Sequence, residues 1–311
     1  MGATIALSLV SSTSSIADTG VDYDLALHWA PVHHQDVDAT DAKSDFITRI
    51  DYDGDWITHN NWEHLDGVDA ALDAHAYYSV SATSTHWFIL YGFYHPRDWS
   101  DGFEPGCIDS HENDMEGVLL TVRRDGSDYG HLEAVITVAH HDFYSYVSNI
   151  SDYKPGSETV DGGVVFQADG KPGTLPRLGT FAESESHAIH AWDGSGFPGG
   201  DGITYWPATA DHPWADTPIG ANDPLVHYKL VNMQDASELW SRRLEKGTFY
   251  KFGTFRGDNC TNNAAQAPWG WDDTDDNVPR GAMALDPARL VDSYFSNKGS
   301  FSLEYTQNGY H

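Results

Sequence analysis

The chain has 311 residues, of which 47 are Asp or Glu and 17 are Lys or Arg, so its formal net charge at pH 7 is -30. This surplus excludes nonspecific binding to nucleic acid, because phosphate groups would be repelled over most of the surface. The length allows one large domain, and the wealth of aromatic residues, Gly and Asp favours strands and turns over a helical bundle.

Residues 1–21 are predicted to be a leader or the remnant of a secretion signal. An apolar patch from Ala3 to Val10 is followed by small residues up to Ala17, which is typical of the end of a signal before its cleavage site. A disordered leader is the alternative. No later segment reaches about 18 consecutive apolar residues, the minimum for a membrane span. We therefore predict a secreted protein with a single domain over residues 22–311.

In the first half of the chain, the pattern predicts strands and hairpins. The run from Leu25 to Val32 reads as an edge strand interrupted by Pro31. The adjacent His33 and His34 would face opposite ways in an extended segment, so we interpret them as core or surface histidines and not as a ligand pair. Four further segments are predicted to be strands or hairpin arms: 46–56, 74–80, 117–124 and 131–140. The last is almost continuously apolar, which indicates burial on both faces.

The second half is predicted to be rich in loops. Residues 149–176 form a long loop with a hairpin at 164–168, residues 185–192 a short strand, and residues 193–202 an exposed glycine-rich loop. A helix is predicted from Asp235 to Gly247, because Asp235 and Glu238 have capping-box spacing before an apolar stripe. Asp286-Pro287 opens a second, short helix that ends near Phe295.

Two cysteines, Cys107 and Cys260, are present. If the protein is exported, a single disulfide between them is predicted, since secretory compartments oxidise thiols. The bond would close a loop of about 150 residues and, in the chain-entropy treatment, stabilise the fold by roughly 5 kcal/mol. Two free thiols are the alternative. Because Cys107 closely precedes His111, the disulfide would bring the segment around Cys260 next to that histidine.

The strongest chemical signal lies between two predicted strands, the β-branched and aromatic runs 87–94 and 117–122. Asp114 and Glu116 are two residues apart and would share one face of a strand, while His111 lies in the preceding turn. Neighbouring carboxylates repel each other unless a positive charge lies between them. A divalent cation is the simplest solution, with Asp98 at the end of the previous strand as fourth ligand. Mg²⁺ or Ca²⁺ fits such an oxygen-rich set best, with Mn²⁺ as a third option. A solvated acidic turn is the alternative.

The same region resembles the necrosis-inducing (NLP) family of secreted cytolysins. In that family, a strand that ends in an aromatic-x-Pro-Lys-Asp pattern precedes the heptapeptide GHRHDWE; here the two elements are Tyr94 to Asp98 and Ser110 to Glu116. The first His, the Asp and the Glu match, and the other four positions differ. The resemblance implies that Asp98, His111, Asp114 and Glu116 are the metal ligands.

The resemblance extends in order from Trp87 to Phe295. It implies a mainly β (α+β) fold, with a central β-sandwich edged by helices and long loops and with the cation in an acidic cavity near its tip. It also implies that the cation helps to hold the sugar headgroup of a membrane sphingolipid, while exposed loops disturb the bilayer. Upstream, Ala30-Pro31-Val32 resembles instead a vacuolar-sorting-related family that has a similar His-x-x-Asp-x-Glu element.

Several further residues are predicted to face the cavity. Trp269, Trp271 and Asp272 are candidates for a ligand loop that stacks on a sugar or touches a membrane, as is the segment 194–200. Packing of both tryptophans into the core is the alternative. If the protein is an enzyme, we expect the general base to be one of three histidines: His140, His187 or His190.

Three functions follow from this sequence. The first is a secreted, monomeric cytolysin or effector that binds a glycolipid headgroup or glycan and makes peripheral contact with a membrane. The second is a metal-dependent hydrolase of a phosphoester or glycan that uses the same cation. The third is a carbohydrate-binding β-sandwich in which the cation is structural.

Overall fold

Helices are few and short in the computed structural model, which describes residues 19–67, 72–102, 108, 110–168 and 176–311. They are α1 (Thr19–Trp29), α2 (Asn61–Gly67), α3 (Ala282–Leu285) and α4 (Pro287–Tyr294), with 3₁₀ turns at Thr58–Asn60, Pro198–Gly200 and Leu239–Arg242. Within the described ranges, no helix is long and apolar enough to cross a membrane. The short helix predicted after Asp286 is present as α4.

Strands form the bulk of the fold. They are β1 (Val32–Asp36), β2 (His75–Thr83), β3 (His86–Asp98), β4 (His111–Arg123), β5 (His131–Ala139), β6 (Asp142–Val147), β7 (Lys154–Pro155), β8 (Gly162–Gly163), β9 (Phe166–Gln167), β10 (Arg177–Ala182), β11 (Ile189–Ala191), β12 (Gly202–Pro207), β13 (Asn222–Asn232), β14 (Phe249–Lys251), β15 (Thr254–Phe255), β16 (Phe295–Ser296) and β17 (Tyr305–Gln307). A mixed sheet has the order β11-β10-β1-β12-β13-β2-β3-β4-β5-β6-β8, with β9 and β17 paired to β10 and β2. The predicted class, mainly β with flanking helices and long loops, is confirmed.

Alternating side chains bury both faces of the central strands. On β3, Phe88 and Leu90 pack into one hydrophobic cluster, and Ile89 and Tyr91 into the cluster on the opposite face. Strand β5 divides its apolar side chains between the same two clusters, as its near-continuous apolar run predicts. The antiparallel ladder between β3 and β4 keeps one register from His86 opposite Arg123 to Asp98 opposite His111. This continuous, largely buried ladder therefore positions the residues at both of its ends.

Two predictions near the amino terminus are wrong. The segment from Leu25 belongs to α1 up to Trp29, and β1 lies inside the sheet between β10 and β12. The apolar run is too short for its periodicity to separate strand from helix. Residues 46–56 form turns and bends, not a hairpin arm. The interpretation of His33 and His34 is confirmed, because both are buried and their rings stack on different aromatic partners, Phe93 and Trp192.

The helix predicted from Asp235 to Gly247 is also wrong. Only the 3₁₀ turn Leu239–Arg242 forms there, and the backbone of Glu238 is extended (φ -99°, ψ -174°). The carboxylate of Glu238 accepts hydrogen bonds from the Arg49 guanidinium at 3.0 and 3.2 Å. A tertiary ion pair therefore occupies the side chain on which the capping box depends.

Candidate functional site

The site lies where β3 ends and β4 begins. Asp98 and His111 are directly opposite each other in the ladder, and the Asp98 Oδ2 to His111 Nε2 distance is 3.5 Å. Directly paired residues of an antiparallel ladder project from the same face. The structure thus brings together the first two predicted ligands, although His111 is the first residue of β4 and not part of a turn.

A left-handed residue shapes the start of β4. Asn113 has a φ of 63°, and its side-chain oxygen accepts hydrogen bonds from Asn61 and from the hydroxyl of Tyr94 (2.6 Å). Its amide group donates to the carbonyl of Thr58 at 3.0 Å. These buried bonds hold the backbone in the left-handed conformation, which interrupts the regular alternation of a strand. His111 and Asp114 consequently line the same cavity despite their opposite parity in sequence.

All four predicted ligands line one cavity with a volume of about 730 Å³. Its other walls contain mostly polar and acidic side chains, which come from residues 99–100 and 108 and from the segments 140–141, 183–186 and 261–271. The prediction that Asp114 and Glu116 share one face agrees with this arrangement. The cavity is large enough for a hydrated ion together with a small polar ligand.

Glu116 is the least compensated carboxylate of the cavity. Its Oε1 accepts the backbone N–H of His140 at 2.6 Å, whereas Oε2 is buried without a hydrogen-bond partner in the described part of the chain. Burial raises the pKa of Glu116 well above its ordinary value and the negative charges of Asp114 and Asp98 raise it further, while the backbone groups of His140 and Ile189 lower it only in part. A buried carboxylate oxygen of this kind is a suitable ligand for a cation, which would favour the ionised form.

Asp114 is fixed by a buried histidine. His187 Nδ1 donates to Asp114 Oδ2 at 2.9 Å, and its Nε2 donates to Asp45 Oδ1 at 3.2 Å. Burial alone would lower the pKa of His187, but hydrogen bonds to both carboxylates and their charges raise it to about 9. Burial likewise opposes ionisation of Asp114, but its hydrogen bond to His187 and the charge of that residue lower its pKa. His187 therefore orients an ionised Asp114.

The three candidate histidines occupy different environments. His187 is fully buried and engaged by two carboxylates. His140 lines the cavity with its side chain 54% exposed, and its Nδ1 lies 3.7 Å from Glu116 Oε1. His190 lies outside the cavity lining, where its Nε2 is 3.5 Å from Glu183 Oε1. Among the three, His140 is the one that a cavity ligand can contact.

The predicted ligand loop is largely a packing element. Trp269 and Trp271 are 1% and 2% exposed, so the alternative, core packing, describes both residues. Trp271 still forms part of the cavity wall, and its indole N–H donates to the Met115 carbonyl at 2.7 Å. Asp272 Oδ1 lies 2.6 Å from His141 Nδ1. The loop at 194–200 is mostly exposed and does not line the cavity.

The segment around Cys260 lies beside the site. Cys260 forms an isolated antiparallel bridge with His111, and the neighbouring Thr261 donates its backbone N–H to the Ser110 carbonyl at 2.9 Å. Cys107 lies outside the described residues, so the predicted disulfide stays a prediction. The described contacts nevertheless place the Cys260 segment next to His111, where such a bond would bring it.

The three carboxylates and one imidazole of the predicted ligand set line the cavity, and this donor set suits a divalent cation that prefers oxygen. Asp98, Asp114, Glu116 and His111 would hold it, with Oε2 of Glu116, which has no hydrogen-bond partner among the described residues, as one donor atom. No three of these four described residues have donor atoms within 4.8 Å of one another, so their side chains would have to move together around the ion. Such an ion supplies a positive charge that attracts oxygen atoms of a polar ligand.

The sequence did not indicate Asp45, because it lies in an irregular segment far from the motif. His95 lies within the Tyr94–Asp98 pattern, so the sequence could have indicated it as part of the site. Its ring stacks on that of His187, with the ring centroids 3.7 Å apart.

No protein-family model matches the chain, and no curated protein matches it significantly. Among solved structures, it is similar to "Toxin fold for microbial attack and plant defense" (14% identity, TM-score 0.30, 68% of this chain and 74% of that chain). It is also similar to "NLPPya in complex with mannosamine" (15% identity, TM-score 0.30, 67% of this chain and 72% of that chain). A third similar structure is the "non-toxic HaNLP3 protein" (15% identity, TM-score 0.24, 41% of this chain and 50% of that chain). The chain thus spans half the length of the last of these. Similarities at this level carry no argument about the activity of this chain.

Proposed function

We propose that the protein is a secreted, divalent-metal-dependent effector of the necrosis-inducing type that binds a sugar-bearing headgroup at a membrane surface. Asp98, His111, Asp114 and Glu116 would hold the cation, and hydroxyl groups of the sugar would complete its coordination. The order of the motifs along the sequence suggested this function. The observation that carries it is the convergence of all four residues on one polar cavity.

The electrostatics of the cavity support a cation and a neutral polar ligand. The carboxylates of Asp98, Asp114 and Glu116 line the cavity, and in the described part of the chain no Lys or Arg lines it. A cation would relieve their repulsion, whereas an anionic headgroup without a cation would meet further negative charge. Sugar hydroxyl groups can bind both the ion and the carboxylates of the rim, such as Glu183 and Glu185.

Leakage from lipid vesicles tests the proposal. Vesicles with and without a neutral glycosphingolipid are loaded with dye and mixed with the protein in Mg²⁺, Ca²⁺ or chelator. We expect release that requires both the glycolipid and the cation and that Asp114→Asn abolishes. Asp125→Asn is the matched control, because Asp125 is an exposed acidic residue beyond the other end of β4. Cation-independent leakage, or full leakage by Asp114→Asn, would contradict the proposal.

A metal-dependent hydrolase is the second candidate, and His140 is the observation that favours it. This histidine has a left-handed backbone (φ 60°), lines the cavity beside Glu116 and is half-exposed. An accessible imidazole next to a predicted cation is suited to act as a general base. Release of phosphate or reducing sugar that disappears both in chelator and in His140→Ala would establish hydrolysis. Leakage without any such product would exclude it.

A further inference from the structure

A second group of metal-binding side chains lies away from the cavity, between β12 and β13. His212 Nε2 is 2.8 Å from Asp216 Oδ1, and His227 Nδ1 is 2.7 Å from Asp216 Oδ2. The two imidazole rings stack with their centroids 3.7 Å apart and their planes 23° from parallel. One carboxylate therefore faces two imidazole nitrogens, and a donor atom from each residue lies within 4.8 Å of the other two.

Backbone hydrogen bonds hold this arrangement in place. The N–H of Asp216 donates to the carbonyl of His227 at 2.8 Å, and the N–H of His227 donates to Asp216 Oδ2 at 2.9 Å. At the other end of the loop, Thr209 and His212 exchange two backbone hydrogen bonds of 3.0 Å. Because the main chain fixes all three residues, a ligand would lose little entropy of ordering when it binds.

We propose that His212, Asp216 and His227 form a second metal site, selective for a transition ion of the Zn²⁺ type, which fastens the 208–221 loop to β13. Bonds of about 2.0–2.2 Å at angles between octahedral and tetrahedral separate two ligand atoms by about 2.9–3.5 Å. The observed nitrogen-to-oxygen separations of 2.8 and 2.7 Å, one to each oxygen of Asp216, are slightly shorter than this range. The two inward nitrogens lie within 4.8 Å of each other, so the stacked rings would turn toward a shared ion. Each imidazole can carry its proton on the other ring nitrogen, which leaves the inward nitrogen free to bind the ion.

The donor set distinguishes this site from the cavity. Two imidazoles with one carboxylate favour Zn²⁺, Cu²⁺ or Ni²⁺ over Mg²⁺ and Ca²⁺, whereas three carboxylates with one imidazole favour the latter pair. Three protein ligands also leave a coordination position for water or for a group from outside. The exposed Trp214 lies next to the site, with its ring centroid 4.5 Å from that of His212.

Zinc titration of the full chain tests the site. With excess Mg²⁺ present to occupy the cavity, we expect calorimetry to detect one Zn²⁺ equivalent in the wild type whose affinity falls at least about 100-fold in His227→Gln. His131→Gln is the matched control, since His131 also pairs with an aspartate, Asp125, but has no second histidine on that carboxylate. Equal Zn²⁺ stoichiometry and affinity in the wild type and His227→Gln would overturn the proposal.

A measurement on the wild type covers the case in which His227→Gln does not fold. One equivalent of Cu²⁺ is added in excess Mg²⁺, and electron paramagnetic resonance reports the number of coordinated nitrogens. Two imidazole nitrogens would support the site if they are also found in the triple variant His111→Gln, His140→Gln and His141→Gln, because these three histidines line the cavity. A spectrum with one nitrogen or none would overturn it.

Discussion

The two ends of the β3–β4 ladder contain similar buried ionisable groups but differ in how their negative charges are compensated. At one end, His86 pairs with Arg123 in the register, and both contact the carboxylate of Glu133 on β5. At the other end, Asp98 pairs with His111, and Asp114 and Glu116 follow. The first end is an internally compensated cluster, whereas the second carries an excess of negative charge around a cavity.

The difference shows how a structural cluster and a candidate binding site can be told apart. Glu133 Oε2 lies 2.9 Å from His86 Nε2, and its Oε1 accepts from Arg123 Nε at 2.6 Å, so both oxygens are satisfied. Glu116 instead has a buried oxygen without a partner among the described residues. A fold has no reason to retain an unpaired buried carboxylate for stability alone. The uncompensated end is therefore the better candidate for a ligand.

The largest expected effect is at the compensated end. Glu133→Gln leaves His86 and Arg123 without their negative partner, so we expect the free energy of unfolding to fall by about 3–5 kcal/mol at neutral pH. Urea denaturation measures this change. Glu304→Gln, at an exposed position, is the control and should leave stability unchanged. A loss below about 1 kcal/mol would show that the cluster is not a stabilising unit.

The same carboxylate predicts a pH dependence. Burial opposes ionisation of Glu133, but the hydrogen bonds from His86 and Arg123 outweigh it and lower its pKa from 4.5 to about 2. A carboxyl group whose pKa is lower in the folded than in the unfolded protein stabilises the fold fully at pH values above its unfolded pKa. This contribution is lost as the pH falls toward the folded pKa of about 2. The stability difference between wild type and Glu133→Gln should therefore narrow by about 2 kcal/mol from about pH 6 to pH 3. A constant difference over this range would contradict the assignment.

At the uncompensated end, stability should depend on cations. At a free concentration of about 100 times its dissociation constant, a bound Mg²⁺ or Ca²⁺ would raise the free energy of unfolding by about 2.7 kcal/mol. We expect thermal denaturation to show this gain in the wild type and in Asp125→Asn but not in Asp98→Asn. An equal gain in Asp98→Asn would exclude that residue as a ligand.

The last effect concerns the packing behind Trp271, which forms part of the cavity wall. A Cβ at Gly117 would lie 2.2 Å from the Tyr91 carbonyl oxygen and 2.5 Å from the Trp271 ring. Gly117→Ala should therefore destabilise the protein by about 1–3 kcal/mol, because the strand and the ring must move apart. Gly162→Ala is the control, since its Cβ would approach no atom closer than 3.8 Å. Equal melting temperatures of the two variants would contradict this packing.

Hairpins and the acidic motif could be predicted from sequence because their signals are local. The strands from 74 to 140 have apolar runs that turn residues separate, and the motif lies within a few residues of Asp98 and His111. The helix predicted at 235–247 is wrong because the local sequence pattern does not show that a distant residue, Arg49, binds the Glu238 side chain. The sequence likewise does not decide whether Trp269 and Trp271 are buried, because their packing partners come from distant segments.

The sequence by itself determined the mainly β class, the positions of the central strands along the chain and the four candidate ligands. These features depend on side-chain alternation and on short spacings, which each segment carries within itself. Only the tertiary structure decided that Asp45 and His187 fix Asp114, that one buried oxygen of Glu116 has no hydrogen-bond partner among the described residues, and that His212 and His227 both contact Asp216. These contacts join residues distant in sequence, and their energies arise from burial that no single segment specifies.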